Sequence, residues 1–136
     1  MMTDKNLNFK ITAEAHAFLA EAFIKNEKVC ECRINVEENI WSVSSWYTKK
    51  EFLNQGYGFA TMKYLILFLE KHKCLPDKIQ YIWNGSNKYV LDWMVKHFDA
   101  ENICPVAVQK YASDDNWESH IYVLDKNKFF DYFKTK

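Results

Sequence analysis

The chain has 136 residues, 49% of them hydrophobic and 17% aromatic, which is enough apolar matter to bury the core of one domain and excludes a disordered segment. Its 18 Lys and Arg balance 18 Asp and Glu, so no net field favours nucleic acid or an anionic membrane as the main partner. The first ten residues lack the apolar stretch of a secretory signal, and the run from Met62 to Leu69 is too short to span a bilayer. The expectation is a cytoplasmic protein with a single domain over residues 1–136.

In chain order, residues 8–12 predict a short first strand. Residues 12–26 predict a helix with Thr12 as N-cap and Ala15, Phe18, Leu19, Ala22 and Phe23 at helical spacing. From Lys28 to Thr48, apolar and polar residues alternate over two stretches that meet at Glu38-Asn39, the pattern of a β-hairpin. A loop with Gly56 and Gly58 opens the next helix, which runs to about His72. Pro76-Asp77 turns the chain into a strand over 78–84, and residues 86–98 predict another helix. Residues 103–111 and 120–126 form a second strand pair around a polar stretch, and 128–134 is a short amphipathic end. No repeat, low-complexity run or linker interrupts this order. It describes an α+β domain: a mixed sheet with helices covering its faces.

Metal chemistry finds little support. Cys30, Cys32, Cys74 and Cys104 contain no C-x-x-C pair, and His16, His72, His97 and His120 are scattered. Cys30 and Cys32 fall on the same face of a strand, as small core residues do. The reading is reduced, mostly buried thiols and no metal.

The glycine loop carries more. Two of the three glycines in the chain stand one residue apart at a helix start. A dinucleotide fingerprint is excluded, because Thr61 stands where a third small residue belongs and residues 49–55 separate the glycines from their strand. No Lys-Ser or Lys-Thr follows, which excludes the P-loop. A simple turn and a pyrophosphate cradle both remain. The helix that follows is apolar nearly all round (Phe59, Met62, Leu65, Ile66, Leu67, Phe68, Leu69), as a helix buried between a sheet and further structure would be. Its first turn holds no Asp or Glu, which leaves the positive end of its dipole open to an anion.

With these residues in place, the sequence resembles the GNAT superfamily of acetyl-CoA-dependent N-acetyltransferases. The family signature, Gln/Arg-x-x-Gly-x-Gly/Ala, is matched literally by Gln55 to Ala60. The preferred register instead follows the family line through Glu51, Phe52, Asn54, Gly56 and Gly58. It places Leu53 where Gln or Arg is usual, and Lys50 where proline is. The likeness in organisation extends from about Asn8 to Asp125.

The resemblance implies a mostly antiparallel sheet whose central strands splay apart, with acetyl-CoA as acyl donor between them. Backbone groups near Trp46 and Thr48 would pair with the pantetheine arm. Amides of Leu53, Asn54, Gln55, Gly56, Tyr57, Gly58 and Phe59 would hold the pyrophosphate, and Asn84 and Asn87 bracket a further cofactor contact. An amine would attack the thioester directly in a ternary complex.

The phenol that protonates the leaving thiolate in many members falls on Trp93, so Tyr89, one turn earlier, is the candidate acid. No carboxylate lies in residues 40–48. Glu37, Glu38, Glu118 and His120 are remote candidates for a base, each read more simply as a solvated side chain. Trp41, Trp46 and Trp83 are candidates to line an acceptor pocket, and equally ordinary core aromatics. The acceptor, a small molecule or a protein amine, is not legible, and neither is the oligomeric state, a homodimer included. Leu53 and Trp93 favour an alternative, a GNAT-fold binding protein with impaired catalysis that retains or loses CoA. A purely structural α+β domain is the third reading.

Overall fold

The computed structural model describes residues 7–83, 88–102 and 120–134. Within them lie β1 (Leu7–Ala13), β2 (Ala17–Ile24), β3 (Glu27–Glu37), β4 (Ile40–Thr48), a short 3-10 turn (Lys50–Phe52), α1 (Tyr57–Lys71), β5 (Lys78–Trp83), α2 (Lys88–Phe98), β6 (Glu101–Asn102), β7 (His120–Leu124) and α3 (Lys126–Lys134). The sheet is mixed and mostly antiparallel, in the order β1-β2-β3-β4-β5-β7-β6, and among the described strands only β4 and β5 run parallel.

The helix expected over residues 12–26 is absent. Thr12 is not an N-cap but a residue of β1 opposite Leu19, and the chain reverses through a tight turn closed by the Glu14 N–H on the Ala17 carbonyl at 2.8 Å. Residues 17–24 then pair with β1 on one side and β3 on the other. Tertiary pairing overrode the helical spacing. A helix would have stranded the edges of both neighbours, whereas a strand satisfies the backbone of all three. Lys25 and Asn26, with φ of 50° and 69°, form the two-residue turn into β3, and Glu38 and Asn39, at 51° and 63°, form the one into β4. Left-handed backbone at both central residues matches the twist of the flanking strands.

Buried residues of the sheet project to one face: Ala20 and Ala22, Cys30, Cys32 and Ile34, Trp41 and Val43, Ile79 and Tyr81, and Leu124. Met62, Leu65, Ile66 and Leu69 of α1, Leu91, Met94 and Phe98 of α2, and Phe129 and Phe133 of α3 meet them there. The described helices thus flank one face of the sheet. Along the other run ion pairs, Lys28 with Glu21 and Glu31, and Arg33 with Glu14. The second helical layer that residues 12–26 were expected to supply became part of the sheet itself. The strand expected over 103–111 lies outside the described residues.

Candidate functional site

The centre of the sheet opens where its one parallel pairing ends. β4 pairs with β3 along its whole length, to Thr48 opposite Cys30, but with β5 only from Ile40 to Val43. Ile82 and Trp83 of β5 pair with β7 alone. A bulge lies at the parting: Val43 faces Ile34 and Ser45 faces Arg33, so Ser44 is the extra residue. Bulges bend a strand and raise its twist. Residues 44–48 therefore run on with their β5-facing edge unpaired.

The first turn of α1 seals the base of this opening. Gly56 caps the helix at φ 85°, a left-handed conformation that only glycine adopts without strain, and no side chain caps the helix. Gly58 answers a different need. A Cβ there would lie 3.2 Å from Thr48 Oγ1 and 3.4 Å from Trp46 Nε1, so its bare backbone lets α1 approach β4. The Trp46 indole N–H donates to the Gly58 carbonyl at 3.1 Å, pinning strand to helix. The Ala60 N–H donates to the Gly56 carbonyl at 3.0 Å as the first helical bond. Amides 57 to 59 precede it and have no partner within the helix. Combined with the dipole and a first turn free of acids, they leave a positive helix end that would favour an anion.

A cavity of about 680 Å³ occupies the opening, lined by Trp46, Tyr47, Thr48, Lys50, Leu53, Asn54, Gly58, Tyr89, Val90 and Trp93. Six residues expected at the site thus come together: Trp46, Thr48, Leu53, Asn54, Gly58 and Tyr89. Gln55 is exposed, its amide reaching the Glu51 carbonyl at 3.4 Å. Tyr57 is buried in a small second core with Ala22, Val29 and Cys30. The Phe59 ring stacks on Phe133, with centroids 5.4 Å apart. Gly56, Tyr57 and Phe59 can contribute backbone only. Asn84 and Asn87 lie outside the described residues, as does Glu118.

Tyr47, Lys50, Val90 and Trp93 complete the walls, and the sequence reading did not expect them there as cofactor contacts. Lys50 stands in the loop position where the family carries proline, and has no ion-pair partner among the described residues. Trp93, in the place of the usual phenol, is locked edge-on against Trp46 at 5.4 Å and Phe98 at 5.2 Å. Tyr89 is 75% exposed and free of that packing.

The remaining candidates stand elsewhere. Trp41 is fully buried and donates to the Cys74 carbonyl at 2.9 Å, a core role, and Trp83 packs against the main core. Glu37 and Glu38 sit at the far end of β4, roughly 26 Å along the strand from Thr48 at about 3.3 Å per residue. The described residues hold no group of three metal-ligating side chains and no helix long and apolar enough to cross a membrane.

Neither a protein-family model nor a curated protein matches the sequence. The fold has many solved counterparts. The PaiA N-acetyltransferase of Thermoplasma acidophilum, in complex with coenzyme A, superposes with a TM-score of 0.57 at 12% identity over 80% of this chain and 60% of its own. A GNAT family acetyltransferase from Elizabethkingia anophelis with acetyl-CoA bound gives 0.60 at 12% identity, covering 89% of this chain and 97% of that one. A Bacillus subtilis acetyltransferase in complex with CoA gives 0.61 at 13%, covering 88% and 98%. This chain spans only 60% of the Thermoplasma protein but nearly the whole of the other two. These likenesses concern the fold: the described residues share the architecture of solved GNAT acetyltransferases.

Proposed function

We propose that the chain transfers an acetyl group from acetyl-CoA to an amine. One observation carries this reading: the cavity at the split between β4 and β5 joins an uncapped helix N-terminus, an unpaired strand edge and an exposed phenol. Amides 57 to 59 and the Lys50 ammonium suit a pyrophosphate. The open backbone edge at residues 44–48 suits the amides of a pantetheine arm, and Trp46, Val90 and Trp93 supply an apolar wall for its methylenes. Bound there, acetyl-CoA supplies an activated thioester.

Tyr89, on the first turn of α2 and in the cavity wall, is our candidate to give a proton to the departing sulfur. Its neighbour Trp93 has no proton to give at neutral pH. That substitution also supports a second reading, a protein that holds CoA without turning it over.

Two measurements test the proposal. CoA at 100 times its dissociation constant adds about 2.7 kcal/mol of apparent stability, which raises the melting temperature. Absence of any shift at millimolar CoA sinks the proposal. Amine-dependent release of free CoA thiol then separates enzyme from binder. Burial pushes the Cys30 thiol up and the Cys32 thiol well above its ordinary range, so neither contributes readily to that signal. Half-buried Cys74 is corrected by a blank without amine. If Tyr89 is the acid, Tyr89→Phe lowers turnover by 10²- to 10⁴-fold, roughly 3 to 5 kcal/mol of barrier, with CoA affinity unchanged. Unchanged turnover leaves Tyr89 as a lining residue only.

A further inference from the structure

This inference rests on the acetyl-CoA reading and concerns one wall of that site. We infer that Thr48 faces the cavity as a hydrogen-bond acceptor, oriented by the Cys30 thiol behind it. It takes an N–H or O–H of the pantetheine arm, not a phosphate.

Thr61, in the second turn of α1, is the only polar residue that the core buries among the described residues. Its hydroxyl donates to the Tyr57 carbonyl at 2.7 Å. A carbonyl can only accept, so the Thr61 proton is committed there and the oxygen is left as an acceptor. Cys30, buried on β3 opposite Thr48, has its thiol within hydrogen-bonding reach of that oxygen. Burial raises the pKa of this thiol, so at neutral pH it carries its proton. The S–H donates to Thr61, which leaves the sulfur to accept. The Thr48 hydroxyl, 3.3 Å from Cys30 Sγ, donates to it.

The inner end of this chain fixes its direction. Thr48 O–H, Cys30 S–H and Thr61 O–H each donate once, and the Tyr57 carbonyl closes the run. Turning the Cys30 proton toward Thr48 would leave both the sulfur and the Thr61 oxygen without a donor. Buried groups left unpaired cost more than made bonds gain, so the inward order wins. With its proton turned inward, Thr48 presents lone pairs to the cavity that it lines. Lone pairs repel phosphate oxygens and accept N–H or O–H groups. The helix end and Lys50 suit the anion, and Thr48 suits the uncharged arm. Cys30 touches no ligand here. It is a positioning residue acting through Thr48.

The test reads the thiol directly. An infrared difference spectrum of the full chain, acetyl-CoA-bound minus free, covers the S–H stretch, to which the thioester itself contributes nothing. A donor arriving at Thr48 polarises each bond further in, so the Cys30 band is expected to move to lower frequency. A phosphate would draw the Thr48 proton outward, release the sulfur and move the band up. An upward shift, or none, overturns the inference. Cys30→Ser keeps a hydroxyl in the chain and removes the thiol, so it should abolish the signal, and a signal that survives belongs to another cysteine and overturns the inference too. Affinity gives a second arm. Thr48→Val should raise the Kd for acetyl-CoA roughly 2- to 10-fold, while Thr48→Ser stays within about twofold of wild type. An unchanged Kd in Thr48→Val, or equal weakening in Thr48→Ser, removes the hydroxyl from the site and spares the acetyl-transfer reading. If acetyl-CoA does not bind the wild-type chain, that reading falls, and this inference with it.

Discussion

The strand meander β1–β4 and the helical half of the molecule bury their surfaces by opposite means. Beneath α1 the sheet offers small side chains. Ala20, Ala22, Cys30 and Cys32 are almost wholly inaccessible, and the register sets Ala20 beside Cys32 and Ala22 beside Cys30. A floor of small residues lets a bulky helix settle close: Leu65, Ile66 and Leu69 share a core with Ala20 and Cys32, and Tyr57 shares a second one with Ala22 and Cys30. Around α2 and α3 the filling is aromatic. Phe98, Phe129 and Phe133 pack edge-on or tilted against one another at 5.0 to 6.1 Å, and Trp46, Phe59, Trp93 and Tyr132 ring them. Trp46 belongs to both halves, for it stands on β4, donates to α1 and touches rings of α2 and α3. The candidate site lies on that seam. A cavity survives there because rigid rings bridge the two layers without closing the gap that β4 and β5 leave.

The comparison can be broken most forcefully from the aromatic side. Phe133 is fully buried among the rings, and Phe133→Ala should cost about 3–5 kcal/mol. Chemical denaturation reads the loss directly. A cost near 1 kcal/mol would mean that the rings cover each other without supporting the fold.

From the meander side the informative change enlarges a small residue. Ala20→Leu should destabilise by roughly 1–3 kcal/mol, because a Leu at this position has to displace α1. At about 3–5 °C per kcal/mol for a chain of this size, the melting temperature falls visibly. Were residues 12–26 helical, Ala20 would lie off the apolar stripe and the same change would be close to neutral. The size of this one shift discriminates strand from helix.

The smallest expected effect concerns the seam. Gly56→Ala places a Cβ at φ 85° and should cost about 1–2 kcal/mol. Gly56 is therefore a folding residue as much as a binding one. Gly58 has no such backbone strain and faces the cavity, so the small change Gly58→Ala, whose Cβ meets Thr48 Oγ1 and Trp46 Nε1 at 3.2 and 3.4 Å, should weaken CoA binding more than it lowers the melting temperature. Equal losses for both variants would remove the distinction between the two glycines.

Much of this molecule is written locally in its sequence. Alternation from Lys28 to Thr48, with two turn-forming residues at Glu38-Asn39, suffices for the β3–β4 hairpin, because strand period and turn chemistry are both short-range. The glycines and the apolar run behind them place the start of α1 for the same reason, and β5 and α2 are legible from their own periods, whereas the terminal segment reads only as amphipathic and folds as α3. Residues 17–24 are not. Alanines and phenylalanines at that spacing suit a helix and a strand alike, and only partners on both sides, β1 through one tight turn and β3 through Lys25-Asn26, decide for the strand. The walls of the cavity are likewise tertiary. Lys50 carries no local signal for binding, and Val90 and Trp93 share a cavity wall with Trp46 where the β4–β5 pairing stops at Val43. Local backbone preferences act over a few residues and can be read along the chain, whereas a gap in a sheet exists only between strands that meet from far apart.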